Sequence, residues 1–189
     1  SMDRESRLRV AIQKSGRLTE PTLDLLNRCG LKLSRGKDQL VGFGENMPLD
    51  VLFVRDDDIP DLVQEDVCDL GIVGLNVIEE KRLAMAARGA PPRFELLQRL
   101  DFGHCRLSLA VPDEFEYAGV DSIAGKRIAT TYPHVLGRFL RERSIAAEVV
   151  TLSGAVEIAP RLGRADLICD LVSTGSTLIA NHLREVEVV

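Results

Sequence analysis

The sequence predicts an α/β fold built as two lobes, and three observations support this. Short aliphatic runs of strand type alternate with amphipathic stretches of helical period. Glycine and proline mark the boundaries between them, and the alternation breaks once, near residues 89–92. The 189 residues are 45% hydrophobic, enough for one sizeable core or two small ones. We therefore expect lobe one over residues 1–100, with residues 183–189 returning to it, and lobe two over residues 101–182.

The first lobe begins with an aliphatic strand at residues 8–12 and a helix over Thr19–Arg28. Thr19 suits the N-cap of this helix, and Gly30 suits a left-handed stop after it. A proline near the first helical position marks the start of the next helix, at residues 58–60. The remaining elements predicted here are strands at 49–54 and 70–74 and a helix at 77–86.

Beyond the Gly-Ala-Pro-Pro break, two strand-like segments at 94–100 and 105–111 indicate a crossing between lobes. The second lobe then continues the alternation of strands and helices. The predicted strands are 127–131, 147–152 and 166–170, with helices at 134–143 and 156–162 and a terminal helix and strand at 177–183 and 185–189. Because open α/β sheets bind ligands beyond the carboxyl ends of their strands, we expect the functional groups of this protein at those ends.

Composition excludes several function classes. With 24 basic and 29 acidic residues the formal charge is −5, so no general positive field attracts a nucleic acid, and aromatic residues are only 4%. Four scattered cysteines without a Cys-x-x-Cys pair, and three dispersed histidines, do not form a metal cage. No apolar run approaches the roughly 20 residues that cross a bilayer. We expect a cytoplasmic protein that binds neither nucleic acid nor membrane and holds no metal through its own residues.

The most informative segment is the hydroxyl-rich glycine turn that follows the strand ending near Asp170. Backbone N–H groups and hydroxyls at such a turn suit a phosphate, while the Asp170 carboxylate could accept hydrogen bonds from ribose hydroxyls. The alternative is that the same residues merely cap a helix. The turn consists of Ser173, Thr174, Gly175, Ser176 and Thr177.

Cations follow two other strands. Lys14 and Arg17 flank a glycine after the first strand, which suits a polyphosphate, although a solvated loop would look the same. Arg55 precedes three aspartates. It could clamp an anionic leaving group or simply pair with those carboxylates, which themselves suit a helix N-terminus.

Three further positions are weaker candidates. Asp69 and Gly71 begin a strand with two glycines, an arrangement that admits a ligand but more often admits a packed helix. Glu157 could contact ribose, although a glutamate on a helix surface is the more frequent case.

Seven segments together resemble the ATP phosphoribosyltransferase family and span nearly the whole chain. They are Gln-Lys-Ser-Gly-Arg-Leu at 13–18, Glu-Asn-Met-Pro at 45–48, Val-Arg-Asp-Asp-Asp-Ile-Pro at 54–60, Asp-Leu-Gly-Ile-Val-Gly at 69–74, Arg-Leu-Asp-Phe-Gly at 99–103, Gly-Lys-Arg-Ile-Ala-Thr at 125–130 and Asp-Leu-Val-Ser-Thr-Gly-Ser-Thr-Leu at 170–178.

This resemblance implies a fold like that of periplasmic binding proteins, two α/β lobes with a cleft between them. It also implies Mg²⁺ as cofactor, ATP and 5-phosphoribosyl diphosphate as substrates, and a homodimer or higher homo-oligomer. The implied reaction transfers phosphoribosyl to N1 of ATP and releases pyrophosphate, as the first step of histidine biosynthesis. Arg55 and Lys14 would then be catalytic, Arg17 would bind polyphosphate, and residues 173–177 would hold the 5-phosphate of the donor.

Two matters stay open at the level of sequence. The internal motifs look more like the long form of the family, so we expect a long-form catalytic part that stops before the regulatory domain. A short form would instead work with a regulatory partner. The alternative function is a non-catalytic two-lobed anion sensor or solute-binding module, which the same fold supports.

Overall fold

The computed structural model describes residues 6–36 and 39–189. The chain divides into two compact units, unit 1 up to Gly103 and unit 2 from His104 to Val189, a division three residues beyond the expected one at residue 100. Each unit contains one mixed sheet with helices, so the predicted α/β fold with two lobes is confirmed.

Unit 1 is built on a sheet of order β2-β3-β4-β1-β5. Strand β1 runs parallel to both β4 and β5, whereas β2 and β3 form an antiparallel extension beyond β4. The carboxyl ends of β1, β4 and β5 therefore share one edge. The strands are β1 (Leu8–Gln13), β2 (Leu33–Ser34), β3 (Val41–Gly44), β4 (Leu49–Val54) and β5 (Leu70–Gly71), and the helices are α1 (Thr19–Arg28), α2 (Ile59–Gln64) and α3 (Leu75–Ala87).

The two faces of this sheet are buried by different helices. Ile12 and Phe53 are fully buried on the face that packs against leucines of α1, and Ala11 is buried on the other face with Ile59 of α2. Alternate residues of β1 thus enter opposite cores, as the period of a strand requires. Helix α1 has the predicted bounds. Its N-cap residue is Leu18 rather than Thr19, and no side-chain hydrogen bond caps its start.

Two predicted strands of unit 1 differ in the structure. Residues 94–100 form no strand, and most of them are exposed, Leu97 by 71%. The strand predicted at 70–74 is shorter in the structure, where β5 spans Leu70–Gly71 and pairs with β1 at the edge of the sheet. An apolar sequence was enough to predict both strands, but a strand also needs a partner for its backbone.

Unit 2 has a sheet of order β10-β6-β9-β7-β8. Strands β7, β8 and β9 are parallel, and β6 is antiparallel to both β9 and β10. The strands are β6 (Arg106–Pro112), β7 (Arg127–Thr130), β8 (Glu148–Thr151), β9 (Leu167–Val172) and β10 (Leu183–Val188), and the helices are α4 (Pro133–Glu142) and α5 (Ser176–Ala180). The helix predicted at 156–162 is a short 3-10 turn over Val156–Ile158.

The expectation that residues 183–189 return to lobe one is wrong. Strand β10 pairs antiparallel with β6 inside unit 2, from Leu183 opposite Pro112 to Val188 opposite Ser108. Leu183 is buried in the core of unit 2. An alternating pattern predicts which face of a strand is buried but not which sheet edge receives it, so the sequence alone could not decide this pairing.

Candidate functional site

The carboxyl ends of β1 and β4 place two predicted cations next to each other in the fold. Gln13 pairs with Val54 as the last register pair of these strands, so Lys14 and Arg55 each follow directly. The backbone N–H of Lys14 donates to the carbonyl of Val54 at 2.7 Å, and both Lys14 and Arg55 are exposed. Both predicted catalytic residues therefore lie at the same edge of the sheet in unit 1.

The loop that carries Lys14 and Arg17 is held by Gln13. The side-chain oxygen of Gln13 accepts from the N–H of Leu18 at 2.8 Å, and its carbonyl accepts from the Thr19 hydroxyl at 3.0 Å. Gly16 has φ of +143°, and a Cβ there would lie 2.6 Å from the Gln13 amide nitrogen. The positive φ therefore favours glycine where the loop folds over this side chain.

Sequence alone left open whether Arg55 is tightly paired with the neighbouring aspartates, and the structure shows a loose pair. Its guanidinium lies 3.6 Å from the Asp57 carboxylate, and both side chains are more than half exposed. An exposed pair of this kind is worth about 0–1 kcal/mol, so it does not prevent Arg55 from contacting an anion.

Asp56 is the residue of this edge that sequence reasoning missed. It is half-buried, and its Oδ1 accepts from the N–H of Gly74, just beyond β5, at 3.4 Å. Burial is the largest influence on the carboxyl and raises its pKa; Asp57 raises it further, while the Gly74 N–H and the charge of Arg17 lower it. Asp56 therefore links the loops that follow β1, β4 and β5. A run of three aspartates gave no signal of which one turns inward.

Asp69 and Gly71 have structural contacts in unit 1. Asp69 lies before β5, where its backbone and carboxylate pair with the backbone of Arg9, both at 2.9 Å. That position is at the amino end of the strand, away from Lys14 and Arg55. At Gly71 a Cβ would lie 2.5 Å from Ile59, so this glycine admits helix α2 to the sheet.

In unit 2 the predicted phosphate turn follows β9 and precedes α5. Gly175 occupies the N-cap of α5 with φ of +81° and ψ of 0°, a conformation that favours glycine. The hydroxyls of Thr174 and Ser176 lie 3.0 Å apart, and the Ser176 N–H donates to the Thr174 hydroxyl at 3.4 Å. The four hydroxyl residues of the turn are exposed: Ser173, Thr174, Ser176 and Thr177. Because the N-cap residue is a glycine, side-chain capping from that position does not account for this composition.

Asp170 lies on β9 just before this turn. It is half-buried, its Oδ1 accepts from the N–H of Leu171 at 2.8 Å, and it stands opposite Ser108 of β6 in register. Directly opposed residues of antiparallel strands share a face, so Asp170 and Ser108 are cross-strand neighbours. Sequence reasoning did not find Ser108.

Glu157 lines a cavity that does not include the turn at residues 173–177. This cavity of about 270 Å³ is lined by residues that include Glu157, Pro112, Asn181 and His182, and none of residues 173–177 is among them. The prediction of a ribose contact at Glu157 gains no support from this placement.

The HisG family model, ATP phosphoribosyltransferase, matches residues 55–189. The chain belongs to the ATP phosphoribosyltransferase family. The match includes Arg55, Asp170 and the whole turn at 173–177. A solved complex of this family, the ATP phosphoribosyl transferase (HisG:HisZ) complex from Thermotoga maritima, is 30% identical with a TM-score of 0.73, covering 96% of this chain and 82% of that chain.

More distant structures support the predicted likeness of the family fold to periplasmic binding proteins. The aliphatic sulphonate binding protein SsuA from Escherichia coli gives a TM-score of 0.61 at 15% identity, over 97% of this chain and 60% of that chain. The arginine-bound form of truncated ArgBP from Thermotoga maritima gives 0.56 at 11% identity, over 96% and 82%. At such identities the likeness concerns the fold alone.

None of the helices in residues 6–36 and 39–189 is long and apolar enough to cross a membrane. Within the same ranges no group of three or more His, Cys, Asp or Glu side chains is arranged to hold a metal ion. The candidate groups described above are the cations that follow β1 and β4 and the hydroxyl-rich turn that follows β9.

Proposed function

We propose that this member of the ATP phosphoribosyltransferase family transfers phosphoribosyl from 5-phosphoribosyl diphosphate to N1 of ATP, releasing pyrophosphate. The observation that carries the proposal is the family match over residues 55–189, which includes an exposed hydroxyl turn with a left-handed glycine. Family membership supports a phosphoribosyltransferase of histidine biosynthesis; the exact reaction is the proposal.

The proposed reaction needs no general base to activate its nucleophile. Adenine N1 has a lone pair and no proton, so it can attack the anomeric carbon directly. The N1–carbon bond forms as the bond to pyrophosphate breaks, and the electron pair leaves with pyrophosphate. The adenine ring carries positive charge until its amino group loses a proton. Catalysis then depends on positioning both substrates and on stabilising the departing charge.

Cations at the edge of unit 1 suit the polyphosphate groups. Arg55 is our candidate for stabilising the leaving pyrophosphate, because a guanidinium offers two parallel donors to phosphate oxygens. We assign Lys14 to the same charge and Arg17 to substrate binding. The register pairing of Gln13 with Val54 supports a shared role for Lys14 and Arg55.

The turn after β9 suits the 5-phosphate of the donor. Its hydroxyls and backbone N–H groups are donors, and Gly175 leaves open space above the backbone, since no heavy atom lies within 4 Å of an added Cβ. Asp170, which would repel a phosphate at short range, suits the ribose hydroxyls because a carboxylate accepts hydrogen bonds.

Mg²⁺ is part of the proposal. It usually keeps several waters and binds largely through substrate phosphates, so we expect it to arrive with the phosphoribosyl donor rather than to sit in a cage of this chain's side chains. When bound, Mg²⁺ would neutralise charge on the pyrophosphate. We further propose a cytoplasmic homo-oligomer. The Thermotoga maritima structure is a HisG:HisZ complex, which supports testing for a regulatory partner.

The test is direct product formation. The chain is mixed with ATP, 5-phosphoribosyl diphosphate and Mg²⁺, and mass spectrometry follows phosphoribosyl-ATP while a coupled assay follows pyrophosphate. GTP is the matched control, because guanine N1 carries a proton and should give no product. Failure to form phosphoribosyl-ATP, alone or with a HisZ-type subunit, would refute the proposal.

The family match does not favour the alternative, a non-catalytic sensor. A sensor would bind one anion and convert nothing. Calorimetry distinguishes the two, because a transferase should bind ATP and the phosphoribosyl donor as separate ligands. A single bound anion that neither substrate displaces would support the sensor.

A further inference from the structure

The loop between β1 and α1 is closed by one side chain, that of Gln13, to which the proposed function gives no role. Its Oε1 accepts from the N–H of Leu18, five positions along the chain, at 2.8 Å, and its backbone carbonyl accepts from the Thr19 hydroxyl at 3.0 Å. A Cβ on Gly16 would lie 2.6 Å from the Gln13 Nε2 and 2.8 Å from its Cδ. Residues 14–17 are therefore folded directly against the amide group of Gln13.

Gln13 also replaces a cap that helix α1 lacks. The N-cap residue is Leu18, whose side chain cannot accept a hydrogen bond, and no side-chain hydrogen bond caps the helix from that position. Leu18 is buried, and a buried backbone N–H without a partner is costly. The Gln13 oxygen supplies this partner. Its removal would therefore favour movement of the peptide that carries the N–H.

The peptide held in this way is the one that joins Arg17 to Leu18. The Gln13 oxygen thus fixes the backbone directly after Arg17. Lys14 is held by a different contact, because its backbone N–H donates to the Val54 carbonyl at 2.7 Å and continues the pairing of β1 with β4. The two cations of the loop therefore depend on different parts of the structure, Lys14 on strand pairing and Arg17 on the Gln13 side chain.

Arg17 acts on the loop that follows β4. Burial raises the pKa of Asp56, and the charge of Arg17 is among the influences that lower it. Asp56 comes directly after Arg55, the residue that we assign to the leaving pyrophosphate. A movement of the Arg17 backbone would therefore change the arrangement of charge next to Arg55.

We propose that Gln13 is a positioning residue for Arg17, whose guanidinium it holds in place for the polyphosphate of the substrate by fixing the Arg17–Leu18 peptide. The inference rests on the proposed function, in which Arg17 binds polyphosphate. Gln13 itself contacts no substrate; it acts through the backbone of the loop. A binding group that is displaced loses much of its effect although its charge is unchanged.

The test is a pair of double-mutant cycles in the phosphoribosyl-ATP assay. Gln13→Met removes the acceptor oxygen, keeps the length of the side chain, and is combined separately with Arg17→Ala and with Lys14→Ala. Alone it should raise KM about tenfold, with a smaller effect on kcat, for the substrate whose KM rises in Arg17→Ala. In Arg17→Ala it should add less than about twofold, but in Lys14→Ala about tenfold again, because independent effects add. Calorimetric dissociation constants replace KM in variants whose turnover is too slow to measure.

Asn46→Leu is the matched control, because Asn46 is another side-chain amide that bridges backbone groups in unit 1. Its Nδ2 donates to the Gly30 carbonyl at 2.6 Å, and its Oδ1 accepts from the Lys32 N–H at 2.8 Å, beyond the other end of α1. Both variants should lower Tm, but Asn46→Leu should change neither KM. If Gln13→Met does not fold, Gln13→Asn draws the oxygen back from Leu18 by one methylene and should give the same pattern of KM values.

Each outcome supports or refutes a distinct statement. If the wild type forms no phosphoribosyl-ATP, the proposed function fails and this inference fails with it. If the wild type is active but Gln13→Met lowers only Tm, as Asn46→Leu does, the inference alone is refuted and Gln13 serves only to start α1. Equal effects of Gln13→Met in the Arg17→Ala and Lys14→Ala backgrounds would also refute it, as would unchanged KM values in Arg17→Ala.

Discussion

Replacement of Gly175 by alanine separates the role of the turn in binding from its role in folding. Gly175 has φ of +81°, where a residue with a Cβ costs about 1–2 kcal/mol. No heavy atom lies within 4 Å of the added methyl, so the folded state meets no clash and the backbone conformation accounts for the whole cost. The methyl group does, however, occupy the space above the turn that we propose for the donor phosphate.

Gly163 provides a matched control in the same unit. It has φ of +71° and also has no heavy atom within 4 Å of an added Cβ, but it lies before β9 begins rather than after it ends. Both substitutions should therefore destabilise unit 2 by about 1–2 kcal/mol, which lowers Tm by roughly 4–8 °C for each kcal/mol in a domain of this size. Only Gly175→Ala should weaken donor binding, by about tenfold or more, because hydrogen bonds to a charged group are worth about 1.5–3 kcal/mol each.

The assay is a pair of measurements on both variants, thermal unfolding and calorimetric titration with 5-phosphoribosyl diphosphate. Equal loss of stability with a donor affinity reduced only in Gly175→Ala supports a phosphate turn. Equal donor affinity in the two variants would refute the reasoning, and the turn would then serve only to start α5.

Three other predictions concern unit 1. Arg55→Ala should lower turnover by about 100-fold or more while changing donor affinity and Tm little, since its ion pair with Asp57 is exposed. An unchanged turnover number would remove Arg55 from the mechanism. Gly71→Ala should destabilise the protein by about 1–3 kcal/mol, because its Cβ would lie 2.5 Å from Ile59. Turnover of the folded fraction should stay unchanged. A loss of turnover at normal stability would instead indicate that Gly71 is part of the functional site. Burial raises the pKa of Asp56 above 3.8, so its contribution to stability is present below that pH and declines as pH rises through the pKa of the folded protein. Asp56→Asn should remove this part of the dependence of Tm on pH. Identical profiles of Tm against pH in the variant and the wild type would contradict the assignment.

Local patterns predicted the elements whose signals are local. Helix α1 has the bounds expected from Thr19 and Gly30, and β4 has those expected from its aliphatic run. The mechanism at the start of α1 was nevertheless misread, because Thr19 donates its hydroxyl to the Gln13 carbonyl instead of capping the helix. The short hairpin strands β2 and β3 were missed, since two residues in β2 and four in β3 give too little alternation to recognise.

Pairing between distant segments was the part that sequence could not supply. Residues 94–100 have the composition of a strand but pair with no strand of the described chain, while residues 183–188 pair with β6 rather than with lobe one. Both errors have the same physical origin. Strand identity depends on which backbone lies alongside, and that is decided by the whole sheet and not by the segment.

The residues of the candidate site likewise differ in how far the sequence alone could locate them. The rule that ligands lie beyond the carboxyl ends of strands located Lys14 and Arg55 correctly at one edge, because each follows directly after a parallel strand. The same rule, applied strictly, argues against Asp69, which precedes its strand and pairs with Arg9, roughly 16 Å along β1 from Lys14 at about 3.3 Å per residue. The pairing of Asp170 with Ser108 could not be reached by such a rule, because it depends on the antiparallel register of β6 and β9.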